Sequence, residues 1–357
     1  ENDDLQTVFQ LGQLDAATIR AIASRKRPKF DVSGFLESLC ASKHVEDSIA
    51  AIELATKWRI RELYQTAIRL AQNSQADPQL RSAAMRAMGA LGNQKTTPLL
   101  KIMAGNPADP KPAAIIGLLE VDRAAAAKSA ANILEGTTQN EAIRKILSAF
   151  ASREGGGLLL AKELVKLKIS HAQGKRLQDA WIATGFVQEA ITEALQAITG
   201  WPAEGLKFNE EVVRGMVAAG RKGDRARGEI LFESARAGCM ACHKIGNQGG
   251  MIGPELSAVG SGVPADRIVT EVLWPARQVK GGYALSRITM RDGRVLQGYL
   301  QKSRDKKLLL LRDFAGAGMH EVEAEMVTKE EPIGSLMPPT AQSLSRDELS
   351  DLFAYLF

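Results

Sequence analysis

Aromatic residues make up only 5% of this 357-residue chain, and cysteine occurs three times. Three cysteines, Cys40, Cys239 and Cys242, cannot build a disulfide framework. Long apolar runs are missing too. The all-leucine run at residues 308–311, lying between Lys307 and Arg312, is far short of the roughly 18 residues that span a bilayer. No block of like charge occurs either. The net +5 comes from 46 Lys and Arg against 41 Asp and Glu spread along the chain, so no nucleic-acid surface is implied. The opening Glu1-Asn2-Asp3-Asp4 reads neither as a signal peptide nor as a membrane anchor. Phosphate-loop and zinc-protease strings are absent: there is no G-x-x-x-x-G-K-[ST] and no H-E-x-x-H. What is present is a globular composition, 45% hydrophobic and 24% charged, which speaks against disorder. The length predicts two or three domains.

Alanine is abundant over the first 220 residues, and the periodicity there is helical. Leu80, Ala83, Ala84, Ala87, Met88 and Leu91 recur at three and four, on one face, with Arg81, Ser82 and Arg86 on the other. Ala76-Asp77-Pro78 opens one helical stretch and Ala108-Asp109-Pro110 the next, 32 residues later. Asp before Pro is a helix start, with Asp as cap and Pro in the first turn. Gly89, Gly92 and Asn93 break the first unit, and Pro98 starts its second helix. Weaker units cover residues 45–71 and 141–167. Repeated helix pairs of this period predict an α-solenoid in which each pair buries its apolar face on the next. The pattern resembles HEAT repeats from about 45 to about 200, inside a helical domain over 1–220. An irregular helical bundle is the competing reading.

Gly200-Trp201-Pro202 and Gly220-Arg221-Lys222-Gly223-Asp224 mark a boundary, and a second domain runs over 224–357. Residues 224–280 mix helix with Gly/Pro loop, and 345–357 return to helix. Between them lie strands. Arg291-Asp292-Gly293-Arg294 is a hairpin signal. Residues 308–311 form a short apolar run closed by a turn at Gly316 and Gly318. In residues 320–327, Val322, Ala324 and Met326 alternate with Glu321, Glu323 and Glu325, the pattern of a half-buried strand. About four antiparallel strands are expected.

Cys239-Met240-Ala241-Cys242-His243 is C-x-x-C-H, the string of c-type haem attachment; its chance occurrence in this composition is about 3 in 10,000. Two intervening residues let both sulfurs reach the two vinyl groups of one porphyrin from a single turn, and the adjacent His can ligate the iron. A zinc site would need further ligands at short spacing, and no second Cys pair exists. A thioredoxin-like pair would want a βαβ context. One covalently attached haem c is therefore expected, with His243 as a metal ligand.

For the sixth ligand, Met337 lies in a Pro-stiffened loop, Met337-Pro338-Pro339, ahead of the terminal helix. That helix carries the stripe Leu349, Leu352, Phe353 and Leu356, and Ser345 and Glu348 form its capping box. A thioether opposite His raises the reduction potential, which suits an electron carrier. Met251 is only eight residues beyond His243, too near to cross to the opposite face. Met290, Met319 and Met326 read as core residues beside strands. His320 would give bis-His ligation. His44 and His171 have no partner at ligand spacing. Cys40 reads as a small buried hydrophobe, and Trp274 as core. The glycines of residues 246–253 let backbone approach the haem face.

These residues resemble two related patterns. Gly228, Leu231 and Phe232 before the motif, Ile252-Gly253-Pro254-Glu255-Leu256 after it, and the Met-Pro loop with its C-terminal helix are similar to class I cytochromes c. That resemblance implies that the Pro254 carbonyl accepts the other imidazole N–H of His243 and fixes its orientation. His243 and Met337 are 94 residues apart, with the strands of 282–333 between them. The strings Val272-Leu273-Trp274-Pro275-Ala276-Arg277, Gly281-Gly282-Tyr283 and Ser335-Leu336-Met337-Pro338 resemble the planctomycete/verrucomicrobial-type haem-binding domain, a cytochrome c module with such an insertion. The resemblance covers about 224–357.

It implies a mostly α protein: a HEAT-like α-solenoid domain followed by a class I cytochrome c domain interrupted by a small antiparallel β insertion. The function it implies is that of a monohaem c-type cytochrome, a carrier rather than an enzyme. It would pass electrons from an exported dehydrogenase to a respiratory acceptor, with the helical repeats as docking scaffold and the site periplasmic or otherwise exported. Many members of the family also carry a dehydrogenase-like β-propeller, which this sequence lacks. A haem-based gas sensor or haem enzyme with a displaceable Met ligand is one alternative. A protein- or glycan-binding scaffold is another.

Overall fold

The computed structural model describes residues 5–6, 8–9, 14–23, 25–199, 208–234, 237–279, 283–303, 307–312, 319–337, 341 and 344–357, the side chains of residues 171 and 199 apart. The expected features at Glu1-Asn2-Asp3-Asp4, Gly200-Trp201-Pro202, Gly281-Gly282, Gly316, Gly318 and Pro338-Pro339 lie outside the described residues, as does the side chain of His171. Helices dominate, and the strands form one small antiparallel sheet and a two-residue hairpin. The fold is thus mostly α. Among the described residues no helix is long and apolar enough to cross a membrane.

The chain forms two compact units, one of residues 1–150 and 155–173, the other of residues 151–154 and 174–357. This division falls upstream of the sequence boundary at 220–224, for a local reason. Val187 N–H donates to Gln297 Oε1 at 2.9 Å, and Gln297 Nε2 donates back to Val187 O at 2.9 Å. Ser152 O accepts from Val295 N–H at 2.9 Å, and Glu154 N–H donates to Gly293 O at 3.0 Å. These bonds assign both segments to the strands.

The first unit contains α1 (Ala16–Ile22), α2 (Ser33–Cys40), α3 (Val45–Trp58), α4 (Tyr64–Gln72) and α5 (Pro78–Leu91). It continues with α6 (Thr97–Gly105), α7 (Lys111–Val121), α8 (Arg123–Gly136), α9 (Asn140–Ala151, its last residue belonging to the second unit) and α10 (Gly156–Leu164). Sequential helices pack together, as in α4 on α5 and α6 on α7, and so do alternate ones, α3 on α5 and α5 on α7. Helix α7 has little polar face; it is enclosed by α5, α6 and α8, and Ala114, Ile115 and Leu118 are fully buried.

Asp77 caps α5 as expected, accepting from Gln79 N–H at 2.8 Å. Asp109 does not cap. Helix α7 starts at Lys111, and the Asp109 carboxylate instead pairs with Arg81. Arg81, expected on the solvent face, is buried and also donates to the carbonyls of Ala71 and Ala108. Gly89 does not break the chain either. It lies inside α5, where a Cβ would come 2.0 Å from Gly117 O, so two helices cross there at bare backbone. The helix ends at Gly92, as expected.

The second unit begins in α11 (His171–Ile182) and holds α12 (Glu189–Thr199), α13 (Glu210–Gly220), α14 (Arg225–Glu233) and the one-turn α15 (Cys239–Cys242). Next come β1 (Lys244–Ile245), β2 (Gln248–Gly249), α16 (Val259–Gly262) and α17 (Ala265–Leu273). The sheet follows as β3 (Ala284–Met290), β4 (Val295–Lys302), β5 (Leu308–Arg312), β6 (Met319–Glu323) and β7 (Val327–Ser335), before the terminal α18 (Arg346–Leu356).

The sheet has five strands in the order β6-β5-β4-β3-β7, all antiparallel. Its Asp292-Gly293 turn joins β3 to β4, with Gly293 at φ +77°. Residues 320–327 are not one strand. A 3-10 turn over Ala324–Met326 separates β6 from β7, because the two occupy opposite edges of the sheet. Ile288, Met290, Leu309, Leu311 and Val322 fill one face. Met290 is core as expected, whereas Met319 and Met326 are exposed, at 54% and 36%.

Candidate functional site

The C-x-x-C-H string occupies the turn of α15, entered through Gly238 at φ +68°. Cys239 and Cys242 stand at its two ends and His243 leaves it in extended backbone, with His243 N–H on Cys239 O at 2.9 Å. The loop that follows folds back onto this turn. Gly246 at φ +58° opens the β1–β2 hairpin at the first central position, as a type II′ turn demands. Gly250 N–H then bonds Met240 O and Gly253 N–H bonds Cys242 O, both at 2.8 Å. A Cβ at Gly250 would lie 2.2 Å from Ala241 O, and one at Gly253 would lie 2.7 Å from the His243 ring. Bare backbone therefore rests on the imidazole.

His243 Nδ1 lies 2.8 Å from Pro254 O. A carbonyl oxygen can only accept, so Nδ1 carries the proton. The lone pair of the neutral ring is then on Nε2. Neither Cys239 nor Cys242 is in a disulfide. Burial pushes the Cys239 thiol up to about 11, and burial raises Cys242 as well. Redox-active C-x-x-C thiols are shifted the opposite way, toward thiolate. Among the described residues no three of His, Cys, Asp and Glu gather as a metal cage.

One cavity joins Cys239 and His243 to Met337, and Cys242 is not among its lining residues. Cys239, His243 and Met337 line it with the apolar side chains of Phe232, Leu256 and Leu344, and its empty volume is about 410 Å³, open side included. Val272, Ala341, Leu352 and Leu356 also reach it. Behind the cavity, α18 packs on α14 and α13, and Leu349, Leu352, Phe353 and Leu356 share a core with Val213, Phe232 and Val269. A Cβ at Gly228 would lie 1.9 Å from Asp351 O, so α14 and α18 cross closely. The Ser345–Glu348 capping box is formed. Trp274 packs edge-on against Phe208, its ring 5.2 Å away.

Three lining residues, Ala237, Ala341 and Leu344, escaped sequence reasoning, and Val272 stood out only as part of the string 272–277. Val272 continues the Ile268–Val269 face of α17. Leu344 precedes the cap Ser345 and shares a core with Leu349 at the fourth position, the spacing of a hydrophobic staple. Gly246-Asn247 was a readable hairpin signal for β1–β2. The rival ligands lie elsewhere. Met251 is 78% exposed, His320 is on β6, His44 stands at the N-cap position of α3 with no side-chain capping bond, and Cys40 is buried in α2 with its thiol pushed up to about 12 by desolvation. A second cavity, about 900 Å³ and open to solvent, lies on the sheet, but its charges are already engaged. Lys302 pairs with Glu330 at 2.9 Å, and Arg312 stacks 4.9 Å over the Tyr299 ring.

No family model matches the chain, and no curated protein is significantly similar to it.

Proposed function

We propose that residues 224–357, within the second unit, are a class I cytochrome c-type domain of the planctomycete/verrucomicrobial kind, interrupted by a small β insertion and carrying one haem c. In this reading the chain is a one-electron carrier in the periplasm or another exported compartment. Its donor is a dehydrogenase and its acceptor a respiratory protein. The helices of the first unit serve as HEAT-like repeats that dock a partner.

The observation that carries this reading is the meeting of Cys239, His243 and Met337 in one apolar cavity, with Nδ1 of His243 turned to the Pro254 carbonyl. The residues fit the group. Two unpaired thiols at the ends of one turn suit two thioether links. The Pro254 carbonyl keeps Nε2 free to donate its lone pair and raises its basicity. Met337 offers a second neutral, soft donor. Phe232, Leu256, Leu344 and Leu352 exclude water, which disfavours net charge in the site. Gly250 and Gly253 hold the imidazole by backbone contact. Haem, once bound, supplies a ferric/ferrous couple whose potential the His/Met pair raises.

The test is the absorption spectrum of the full chain, produced with export and haem attachment, ferric then ferrous, with and without carbon monoxide. Haem is expected to stay with the polypeptide after acid–acetone extraction and to be lost in Cys239→Ser/Cys242→Ser. Wild type should be low-spin and indifferent to carbon monoxide, and Met337→Ala high-spin and responsive. A wild type that binds carbon monoxide readily shifts the reading to a sensor or haem enzyme. A chain that never holds haem ends it.

A further inference from the structure

Met337 stands two residues beyond the end of β7, and the last rung of the β3–β7 ladder is Ala284 against Ser335. Met337 N–H donates to Ser335 Oγ at 3.1 Å and closes a short serine turn. Two residues of chain reach at most about 7 Å. The register of β7 on β3 therefore decides where Met337 sits.

That register is irregular at this end. Leu285 faces Gly334 while Ser286 faces Pro332, so Ile333 is the extra residue of a bulge. Gly334 has φ +93°. A Cβ there would meet only the Ala276 Cβ, at 3.4 Å, an ordinary contact. Glycine is thus demanded by conformation and not by space. Bulges re-aim the chain that follows them. On the other side of the bulge the ladder is pinned. Arg287 faces Glu331 across it and donates to Glu331 Oε1 at 2.9 Å, and a second guanidinium nitrogen donates to Val187 O.

We infer that Gly334 is a positioning residue for Met337: its positive-φ bulge aims the thioether into the cavity lined by Cys239 and His243, so the β insertion holds the sixth ligand. This rests on the haem reading above. The insertion is then part of the site, and Gly334 acts on it without touching the bound group.

The experiment compares haem-loaded full-length wild type, Met337→Ala, Gly334→Val, Ser335→Ala and a control, Gly155→Ala. Gly155 has φ +71°, open space around it, and lies in the first unit. Gly334→Val is expected to keep one covalent haem per chain. An L side chain is strained there, which moves the balance of bound and released Met about tenfold toward release. Carbon monoxide association should rise by a similar factor, with a high-spin ferric fraction and a lower reduction potential. Ser335→Ala should move the same readouts less, and Gly155→Ala not at all. If Gly334→Val fails to fold, Ser335→Ala decides. Both β7 variants matching wild type while Met337→Ala differs would overturn this inference and leave the haem reading standing. An equal shift in Gly155→Ala would also overturn it. A wild type without haem, or unchanged by Met337→Ala, overturns both.

Discussion

Gly89 and Gly117 let α5 and α7 of the first unit cross with backbone against backbone. In the second unit Gly249 and Gly250 also press backbone onto backbone, but onto the turn that carries Cys239, Cys242 and His243, and Gly253 presses on the His243 ring. The first arrangement closes space between helices of small side chains; Ala83, Ala84 and Ala87 are all buried beside it. The second surrounds space that is left apolar and lined by possible ligands. Small residues mean close packing of helices in the first unit, and in the second they also hold the loop of residues 249–253 against the C-x-x-C-H turn. Glycine content alone does not tell these apart; the neighbours do.

Valine at each crossing separates the two uses. A Cβ at Gly89 or Gly228 would meet backbone oxygen at 2.0 or 1.9 Å, and backbone cannot swing aside as a side chain can. Gly89→Val and Gly228→Val should each cost about 3 kcal/mol or more in urea unfolding. Only Gly228→Val should also lower haem retention, since α14 and α18 wall the cavity with Phe232 and Leu352. Equal haem loss in both would mean that the comparison between the units does not hold.

A somewhat smaller effect is expected at the buried ion pair of the first unit. The side chains of Arg81 and Asp109 are 9% and 8% exposed. Asp109→Asn leaves the guanidinium with only the carbonyls of Ala71 and Ala108. The loss should be about 3 kcal/mol, and Arg81→Met combined with Asp109→Leu should recover most of it, because the pair's desolvation cost disappears with both charges. A double variant as unstable as the single one would show that the pair does more than satisfy itself.

Much of the helical architecture was legible because alanine-rich periodicity is local. Two details were not, and for one reason. Asp77-Pro78 and Asp109-Pro110 look identical in sequence, yet one caps and the other meets Arg81, a residue 28 positions away. Gly89 looks like a breaker until Gly117 is opposite it. In the site, the C-x-x-C-H turn is a contiguous string and was readable as such. The approach of Met337 depends on the β3–β7 register, which nothing in the alternation of residues 320–327 disclosed; that alternation ran unbroken through the 3-10 turn between β6 and β7.

The smallest expected effect lies at the α14–α18 crossing and depends on pH. Asp351 accepts from Arg227 Nε at 2.7 Å and from Asp224 N–H at 2.7 Å. The Arg227 hydrogen bond, and after it the Asp224 amide, hold its carboxyl below the usual range. A carboxyl lowered on folding stabilises the folded state above its unfolded pKa, near 3.9, and that contribution fades as pH falls through the folded value. Asp351→Asn should therefore be less stable than wild type at pH 7, with the difference shrinking from about pH 4 downward. The effect is modest because the Arg227 side chain is 66% exposed and water screens the charge. Urea titrations of both proteins from pH 7 to pH 2 measure it. A difference that stays constant over that range would assign the loss to packing of α18 against α14 and not to the ionised carboxylate.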